Sequence, residues 1–216
     1  MKINAIVTGA TGMVGEGVLH ECLLHPDVEK VLIINRKPSG FSHPKLKEII
    51  VKDFSDLKDL RPQLTGYNAC FFCAGVSSIG MNEETYTKLT YDLAVNFGKT
   101  LQSINPDMTF CYVSGAATDG TEKGKVMWAR VKGRTENEII RLFTNGYAFR
   151  PGIMTPTKGL KNTIKLYKYL GWMIPVFKLF MPVNSLKQVG LAMINVAKRG
   201  YPKKVLEVPD ITEAAK

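Results

Sequence analysis

Short apolar runs alternate with segments of helical periodicity along most of the chain. The apolar runs predict strands at Ala5–Thr8, Lys30–Asn35, Glu48–Val51, Ala69–Cys73, Thr109–Ser114, Gly146–Arg150 and Val205–Val208. Apolar positions that recur every three to four residues predict helices near Val14–Leu24, Phe54–Leu60, Thr85–Ile104 and Lys132–Phe143. Strands separated by helices indicate βαβ units, which join parallel strands through right-handed crossovers. We therefore expect an α/β protein with a doubly wound parallel sheet and helices on both faces.

The composition is typical of one globular domain. The chain has 216 residues, of which 45% are hydrophobic and 22% are charged, so residues 1–216 suit a single domain with a substantial core. No apolar run approaches the roughly 20 residues that a membrane-spanning helix needs. After Arg150 the pattern is interrupted by prolines. We expect residues of about 154–200 to form a small substrate cap at the carboxyl edge of the sheet, where ligands bind in such folds.

Four cysteines lie in apolar strand or helix contexts, at Cys22, Cys70, Cys73 and Cys111. Cys70 and Cys73 have the spacing of a redox motif, but they lie inside a predicted strand whose side chains alternate between faces, and no second pair completes a metal site. The first residues read as a core strand rather than a signal peptide. These features predict buried reduced thiols, no bound metal and a cytoplasmic protein.

The first predicted strand leads through a glycine-rich turn into the first predicted helix. The glycines are spaced Gly9-x-x-Gly12-x-x-Gly15, and this context is how α/β proteins hold the pyrophosphate of a dinucleotide. Glycines permit a close approach of the backbone, and the helix N-terminus offers unpaired N–H groups. The alternative is a glycine-rich turn without a ligand. The predicted pyrophosphate-binding residues are Thr8, Gly9, Thr11, Gly12, Met13, Val14 and Gly15.

The residues after the second strand bear on the choice of cofactor. NAD-binding proteins place an Asp or Glu about 20 residues after the glycine turn, on the ribose hydroxyls. This chain has Asn35, Arg36 and Lys37 there, and a guanidinium suits a 2′-phosphate. NADP is therefore favoured over NAD, the alternative being two ordinary surface cations. The remaining predicted contacts of the adenosine half are Asp53 and Phe54 at the adenine edge and the small segment Cys73, Ala74 and Gly75.

Several motifs together resemble a known family. They are Thr8-Gly9-Ala10-Thr11-Gly12-Met13-Val14-Gly15, Asn35-Arg36, Cys73-Ala74-Gly75, Tyr112-Val113-Ser114-Gly115-Ala116, Val131-Lys132-Gly133-Arg134-Thr135-Glu136 and Phe149-Arg150-Pro151-Gly152. In this order the chain resembles atypical short-chain dehydrogenase/reductases of the extended epimerase/dehydratase group, and within them it is most similar to the Tat-interacting-protein branch. The resemblance implies a Rossmann fold that binds NAD(P). It also implies that Lys132 holds the nicotinamide ribose and that Pro151, Gly152 and Ile153 pass the nicotinamide ring.

The catalytic positions depart from the family's pattern. Its Ser-Tyr-Lys chemistry needs a tyrosine four residues before the lysine, and Trp128 stands there. An indole N–H only donates hydrogen bonds and does not exchange a proton near neutral pH. We expect Ser114 and Lys132 as catalytic residues, with Trp128 as a wall of the substrate pocket. Ser114 either orients a carbonyl group or caps the strand end. Candidates for a substitute acid are Tyr86, Tyr91 and Tyr112.

Positive charge is concentrated in the second half of the chain. Residues 1–120 contain 11 basic and 13 acidic residues, whereas residues 121–216 contain 18 basic and six acidic ones. At helical spacing, a stripe of lysines opposes an aliphatic stripe; it consists of Lys158, Lys161, Lys165 and Lys168. We interpret this segment as a solvated outer face of the cap, with contact to an anionic membrane as the alternative. Because no nucleic-acid motif accompanies the charge, we expect no nucleic-acid partner.

Two classes of function follow. One is an NADP-dependent oxidoreductase that acts on a small or moderately apolar carbonyl compound, with a proton donor other than Trp128. The other is a catalytically silent NADP-binding protein that acts as a redox sensor or regulator. Consumption of NADPH that depends on a substrate separates the two, because the sensor binds NADPH without turnover.

Overall fold

A computed structural model describes residues 1–52, 54, 57–157, 159–162 and 183–216 of the chain. The strands are β1 (Ile3–Thr8), β2 (Val28–Asn35), β3 (Leu46–Ile50), β4 (Ala69–Phe72), β5 (Thr109–Val113), β6 (Asn145–Phe149), β7 (Ile153–Thr155), β8 (Val183–Ser185) and β9 (Val205–Leu206). The helices are α1 (Met13–Leu24), α2 (Arg61–Leu64), α3 (Glu83–Thr87), α4 (Leu93–Ile104), α5 (Met127–Leu142), α6 (Leu186–Arg199) and α7 (Val208–Ala214). One 3₁₀ turn at Lys58–Leu60 precedes α2, and one π-helical turn at Lys88–Asp92 joins α3 to α4.

Seven strands of the described chain form one parallel sheet in the order β3-β2-β1-β4-β5-β6-β9. The chain starts in the middle of the sheet, builds outward through β2 and β3, and then returns to the other side of β1 with β4. The order therefore reverses between β1 and β4, and a crevice opens there at the carboxyl ends of the strands. This topology confirms the doubly wound Rossmann-like α/β fold. The strands β7 and β8 form a separate parallel pair, and β7 follows the carboxyl end of β6 along the chain.

Two apolar layers cover the two faces of the sheet. On one face, α1 and α6 pack against each other and on the central strands. On the other face, α4 and α5 pack on an aromatic cluster in which the rings of Phe110 and Phe143 lie 4.8 Å apart and those of Phe72 and Phe97 lie 5.5 Å apart. Because strands such as β1 are buried on both faces, their sequences are continuously apolar rather than alternating.

Several predicted boundaries differ from the structure. The helix predicted at Phe54–Leu60 begins only at Lys58, as a 3₁₀ turn that continues into α2. The long helix predicted at Thr85–Ile104 starts earlier, because Asn82 caps α3 by accepting the N–H of Thr85 at 2.9 Å. The strand predicted to reach Val208 ends at Leu206, since Glu207 caps α7.

The structure corrects the C-terminal part of the predicted cap, which belongs to the helical layer on the sheet. Residues 186–199, which the cap range of about 154–200 includes, form α6, and the side chains of Leu186, Val189 and Met193 are buried against α1 and the sheet. No helix was predicted here, and the cap range rested on the prolines after Arg150, which do not show that an amphipathic helix follows them. Of the rest of the predicted cap, residues 154–157, 159–162 and 183–185 are described, and they include the end of β7 and all of β8. Three members of the lysine stripe, Lys158, Lys165 and Lys168, lie outside the described residues. No helix of the described chain has the length and apolar character needed to cross a membrane.

Candidate dinucleotide cleft and neighbouring catalytic region

A cleft of about 180 Å³ lies at the reversal point between β1 and β4. It is bounded by the carboxyl ends of β1, β2 and β4 and by the N-terminus of α1. Its lining residues are Gly9, Thr11, Gly12, Ile34, Asn35, Arg36, Phe54, Cys73, Ala74 and Gly75. The structure thus brings together in one place nine of the 15 residues that the sequence predicts for the adenosine and pyrophosphate groups. Ile34 is an additional member.

The three glycines of the first turn have different structural roles. Gly9 has φ +71°, and a Cβ there would lie 2.7 Å from the carbonyl oxygen of Cys73. A Cβ at Gly15 would lie 2.2 Å from the carbonyl oxygen of Gly9. Gly9 and Gly15 therefore permit the close packing of the turn itself. A Cβ at Gly12 would meet only the oxygen of Gly9, at 3.4 Å, and Gly12 is the N-cap of α1, so the absence of its side chain keeps the helix N-terminus open.

Other predicted residues of this turn support the cleft from behind. The hydroxyl oxygen of Thr8 accepts the N–H of Ala74 at 3.2 Å, which ties the end of β1 to the end of β4. Met13 is buried and Val14 packs against the core beneath α1. These three side chains hold the backbone of the turn rather than line the open space.

The end of β2 carries the residues that were predicted to choose the cofactor. The amide group of Asn35 is buried and donates to Oε1 of Glu48 at 2.9 Å, and the same oxygen accepts the N–H of Ser39 at 2.9 Å. Arg36 is exposed and lines the cleft, and Lys37 beside it is also exposed. A guanidinium is therefore available at the ribose end of the cleft. Asp53 lies outside the described residues.

Phe54 and Cys73 complete the cleft with weakly polar surfaces. Phe54 is largely buried and its ring lies 5.9 Å from that of Phe97. Burial raises the pKa of the Cys73 thiol to about 12, so this thiol is neutral at physiological pH. The four cysteines are free. The described residues contain no group of His, Cys, Asp or Glu side chains that is arranged to hold a metal ion.

The lining of the cleft suits the phosphate and ribose groups of a dinucleotide. Gly12 leaves the N-terminus of α1 uncovered, and a Cβ at Gly75 would meet nothing within 4 Å. These two positions leave room for a phosphate and a sugar beside the backbone, and Arg36 offers the positive charge that a phosphate needs.

Ser114 lies at the end of β5, where its side chain is turned inward. Its hydroxyl is buried and lies within hydrogen-bond distance of Oε1 of Glu136 and, at 3.1 Å, of the carbonyl oxygen of Phe149. The guanidinium of Arg150 donates two hydrogen bonds to the carboxylate of Glu136, from Nε to Oε1 at 2.9 Å and from Nη2 to Oε2 at 2.5 Å. Its Nη1 donates to Oε1 of Glu207 at 3.0 Å. In this arrangement the hydroxyl of Ser114 is engaged inside the protein, as in the alternative in which it caps the strand end, and its orienting of a substrate carbonyl stays a prediction.

Lys132 lies beside this network on α5. Its ammonium group donates to the backbone carbonyl oxygen of Ser114. Burial lowers the pKa of Lys132, and the negative charge of Glu136, one turn further along the helix, partly opposes that shift. Trp128 is half-buried one turn before Lys132, on the same side of α5. The lysine is thus held at the carboxyl end of β5, with an indole where the family has a phenol.

The three candidate tyrosines are engaged elsewhere. Tyr86 and Tyr112 are almost completely buried, and burial raises the pKa of both phenols. The ring of Tyr91 lies beneath the guanidinium of Arg134, at 4.1 Å. Buried phenols with raised pKa values are poorly suited to exchange protons with a ligand in an open site. None of these three tyrosines is therefore assigned as the acid.

The residues predicted to pass the nicotinamide follow β6. The carbonyl oxygen of Pro151 accepts the N–H of Ala116 at 2.9 Å, so the segment after β6 is bonded to the segment after β5. Gly152 is half-buried and Ile153 begins β7. These residues lie at the carboxyl edge of the sheet, on the same side of the cleft as Lys132.

Sequence reasoning did not single out Glu136 and Arg150, which form the buried network, or Glu16, whose buried carboxylate accepts the backbone N–H groups of Lys161 and Asn162. Glu136 was visible only as part of a motif, although its spacing of four from Lys132 puts both on one helix face. Arg150 lies 14 positions after Glu136, beyond the end of α5 and the whole of β6. Glu16 is a common kind of residue in the first turn of a helix, where a carboxylate complements the dipole, so no local signal distinguishes it.

Comparisons with known proteins agree with this geometry. Residues 5–125 match the model of the NAD dependent epimerase/dehydratase family. Among solved structures, the fold is similar to that of the Bordetella bronchiseptica enzyme WbmF in complex with NAD+, with a TM-score of 0.71 and 15% identity, covering 99% of this chain and 76% of that one.

Two curated fungal proteins are similar in sequence. Leucinostatins biosynthesis cluster protein T of Purpureocillium lilacinum is 30% identical over 144 residues, which cover 65% of this chain and 52% of that protein. The chain thus matches about half the length of that relative. Protein FMP52-1, mitochondrial, of Scheffersomyces stipitis is 24% identical over 229 residues, with 99% of both chains covered.

The expected cytoplasmic location is wrong by this comparison. The FMP52 relatives carry the word mitochondrial in their names. Free buried cysteines, on which the expectation partly rested, distinguish oxidising from reducing surroundings but do not distinguish one reducing compartment from another.

Proposed function

The chain belongs to the NAD dependent epimerase/dehydratase family, and we propose that it is an NADP(H)-dependent oxidoreductase that reduces a small or moderately apolar carbonyl compound. The observation that carries the proposal is the cleft, in which the open N-terminus of α1, the exposed Arg36 and the small segment after β4 meet. Lys132, whose pKa is lowered by burial, lies at the carboxyl end of β5, the strand next to β4. Because its FMP52 relatives are named as mitochondrial proteins, we propose that this protein also acts in mitochondria.

Lys132 is proposed to combine two roles. When bound, the reduced cofactor supplies a hydride for the carbonyl carbon. The ammonium group of Lys132 hydrogen-bonds the nicotinamide ribose and gives a proton to the carbonyl oxygen, which leaves an alcohol and a neutral amine that water reprotonates. A pKa lowered by burial makes this ammonium a better acid than an exposed lysine. Trp128 forms the wall against which the apolar part of the substrate packs.

The test separates cofactor binding from proton transfer at Lys132. Consumption of NADPH is measured with a panel of aldehydes and ketones, and binding of NADPH is measured by calorimetry. Lys132→Arg keeps a hydrogen-bond donor for the ribose, but a guanidinium does not release a proton in this pH range. We expect near-normal NADPH binding with turnover reduced about a hundredfold or more. Lys99→Arg, on the exposed side of α4, is the matched control.

The pH dependence gives a second readout. The rate should fall as the pH rises through the pKa of Lys132, because the acid is then lost, and the fall should begin at lower pH than for an exposed lysine. A rate that stays constant across this alkaline range, or full turnover in Lys132→Arg, contradicts the assignment of Lys132 as the acid.

A silent NADP(H)-binding regulator is the second candidate. It is favoured by the replacement of the family's tyrosine by Trp128 together with the internal engagement of Ser114, Tyr86 and Tyr112. This candidate predicts tight binding of NADPH, a conformational response to it, and no consumption with any carbonyl compound in the panel.

A further inference from the structure

Glu16 connects the cofactor helix to a distant part of the chain. It lies in the first turn of α1, its N–H bonds the carbonyl oxygen of Gly12 at 2.9 Å, and its side chain is only 2% exposed. Its two carboxylate oxygens accept the backbone N–H groups of Lys161 and Asn162, at 2.7 and 2.6 Å. A buried carboxylate that accepts two backbone N–H groups is a strong and directional anchor. It fixes the backbone at position 161 one helical turn from the pyrophosphate end of the cleft.

The side chain of Lys161 extends toward the loop that follows β2. Its ammonium group lies 5.4 Å from the centroid of the Phe41 ring, within cation–π distance. Phe41 belongs to the same loop as Arg36 and Lys37, which follows the ribose end of the cleft. Lys161 is also part of the acid-free run between Glu138 and Glu207. The fold therefore brings a third cation to the loop that follows β2 and carries Arg36, from a remote part of the sequence.

We propose that Lys161 binds a phosphate group of the dinucleotide and that Glu16 is the positioning residue that holds Lys161 at the cleft. This proposal rests on the proposed binding of NADP(H). The phosphate is either the 2′-phosphate or the pyrophosphate, which share the same chemistry toward an ammonium group. The position of Lys161 over Phe41, beside the loop of Arg36, favours the 2′-phosphate.

The backbone anchor gives Lys161 an advantage over a lysine on a free loop. A lysine that is already held near its ligand loses less conformational freedom on binding than one that must be ordered first. The ammonium group of Lys161 contacts the ring of Phe41. An aromatic ring carries no negative charge, so it does not compete with a phosphate for the ammonium group as a carboxylate would.

The experiment measures the dissociation constants of NADP+ and NAD+ by calorimetry for the full chain and its variants. Lys161→Ala should weaken NADP+ about tenfold, as expected for loss of one charge-assisted contact. Lys161→Arg, which keeps the charge, should restore most of the affinity. Lys99→Ala removes an exposed lysine from α4 on the other face of the sheet and should leave both affinities unchanged.

Glu16→Ala gives a result whose sign is informative. Removing a negative charge near an anionic ligand should by itself strengthen binding. If Glu16 positions Lys161, the substitution should instead weaken NADP+ binding by about as much as Lys161→Ala does. The double variant should then lose no more affinity than either single variant, because both changes remove the same contact. Glu16→Gln, which retains one carbonyl acceptor, is an intermediate variant for use if Glu16→Ala unfolds.

Each outcome has a defined meaning. Weaker binding of NADP+ alone identifies the 2′-phosphate, and equal weakening of NADP+ and NAD+ identifies the pyrophosphate; both support the proposal. Unchanged affinities in Lys161→Ala, or tighter binding in a folded Glu16 variant, overturn it while leaving the proposed function intact. Failure of the unsubstituted protein to bind either nucleotide overturns the proposed function itself.

Discussion

The cofactor cleft and the catalytic region next to it are built from the same kinds of elements but differ in how their side chains are used. In the cleft, at the ends of β1, β2 and β4, the residues predicted from sequence line one open space. At the end of β5, Ser114 is turned inward toward Glu136 of α5, and Arg150, which follows β6, bonds Glu136 in the same internal network. The cleft depends on backbone shape, whereas the catalytic region depends on which side chains find partners inside the protein.

This difference explains why local sequence indicates the backbone shape of the cleft but not the side-chain partners of the neighbouring region. A glycine turn between a strand and a helix has few possible backbone geometries, so its location follows from local sequence. A serine at a strand end has several rotamers, and its role depends on whether an acceptor such as Glu136 lies within reach. The substitutions below test the contrast, from the largest expected effect to the smallest.

The largest effect is expected from the network of the catalytic region. Glu136→Gln removes the charge from a fully buried carboxylate while Arg150 stays largely buried. Breaking such a pair costs about 3 kcal/mol or more, which corresponds to over a hundredfold in the folding equilibrium. Urea denaturation measures the free energy of unfolding. The control Glu138→Gln, on the same helix with the exposed Arg141 as its partner, should change it by less than about 1 kcal/mol. Equal effects would show that the network is not a special source of stability.

A substitution at Gly12 in the glycine turn should lower the affinity for NADP(H) while leaving the thermal stability of the protein nearly unchanged. Gly12→Val places a side chain at the open N-terminus of α1, where a Cβ meets only one backbone oxygen at an ordinary distance. We expect loss of NADP(H) affinity by about a hundredfold or more, equivalent to about 2.7 kcal/mol, with a Tm within a few degrees of the original. Gly15→Ala is the opposite control, because its Cβ would lie 2.2 Å from the oxygen of Gly9 and should lower the Tm. Retained binding in Gly12→Val would place the pyrophosphate elsewhere.

The ribose end of the cleft should distinguish the two nicotinamide cofactors. Arg36→Ala removes an exposed guanidinium from the cleft, and we expect about tenfold weaker binding of NADP+ with little change for NAD+. Calorimetry with both nucleotides measures the preference, and Arg61→Ala, at the exposed start of α2, is the charge control. Equal affinities of the unsubstituted protein for NADP+ and NAD+ would contradict the preference.

The smallest effect is expected at Trp128. Because an indole is not the acid, Trp128→Phe should keep an apolar wall and change kcat by only a few fold. Its main consequence should be a higher KM for larger substrates. A fall in kcat of a hundredfold or more, with NADPH binding preserved, would show that the indole N–H takes part in the chemistry.

Much of the fold was predictable from local patterns, and the misreadings have identifiable causes. The central parts of β1 and β2 are apolar because the sheet buries both of their faces, and their shortness together with the following turn residues indicated strands. No helix was predicted at α6; its residues were included in the cap range because prolines interrupt the pattern after Arg150, although its own apolar positions meet α1 and the sheet. The end of β9 was misplaced because Val208 is apolar in either a strand or the buried face of α7.

The amino-acid sequence by itself determined the alternation of elements, the glycine turn, the cations after β2 and the substitution of Trp128. These features depend on residues within a few positions of one another, where backbone geometry limits the choices. Only the tertiary structure decided that Ser114 faces Glu136 and that Glu16 holds the backbone of Lys161, 145 positions away. The physical reason is that a buried polar group must find a partner wherever the fold supplies one, and no local pattern records which residue that is.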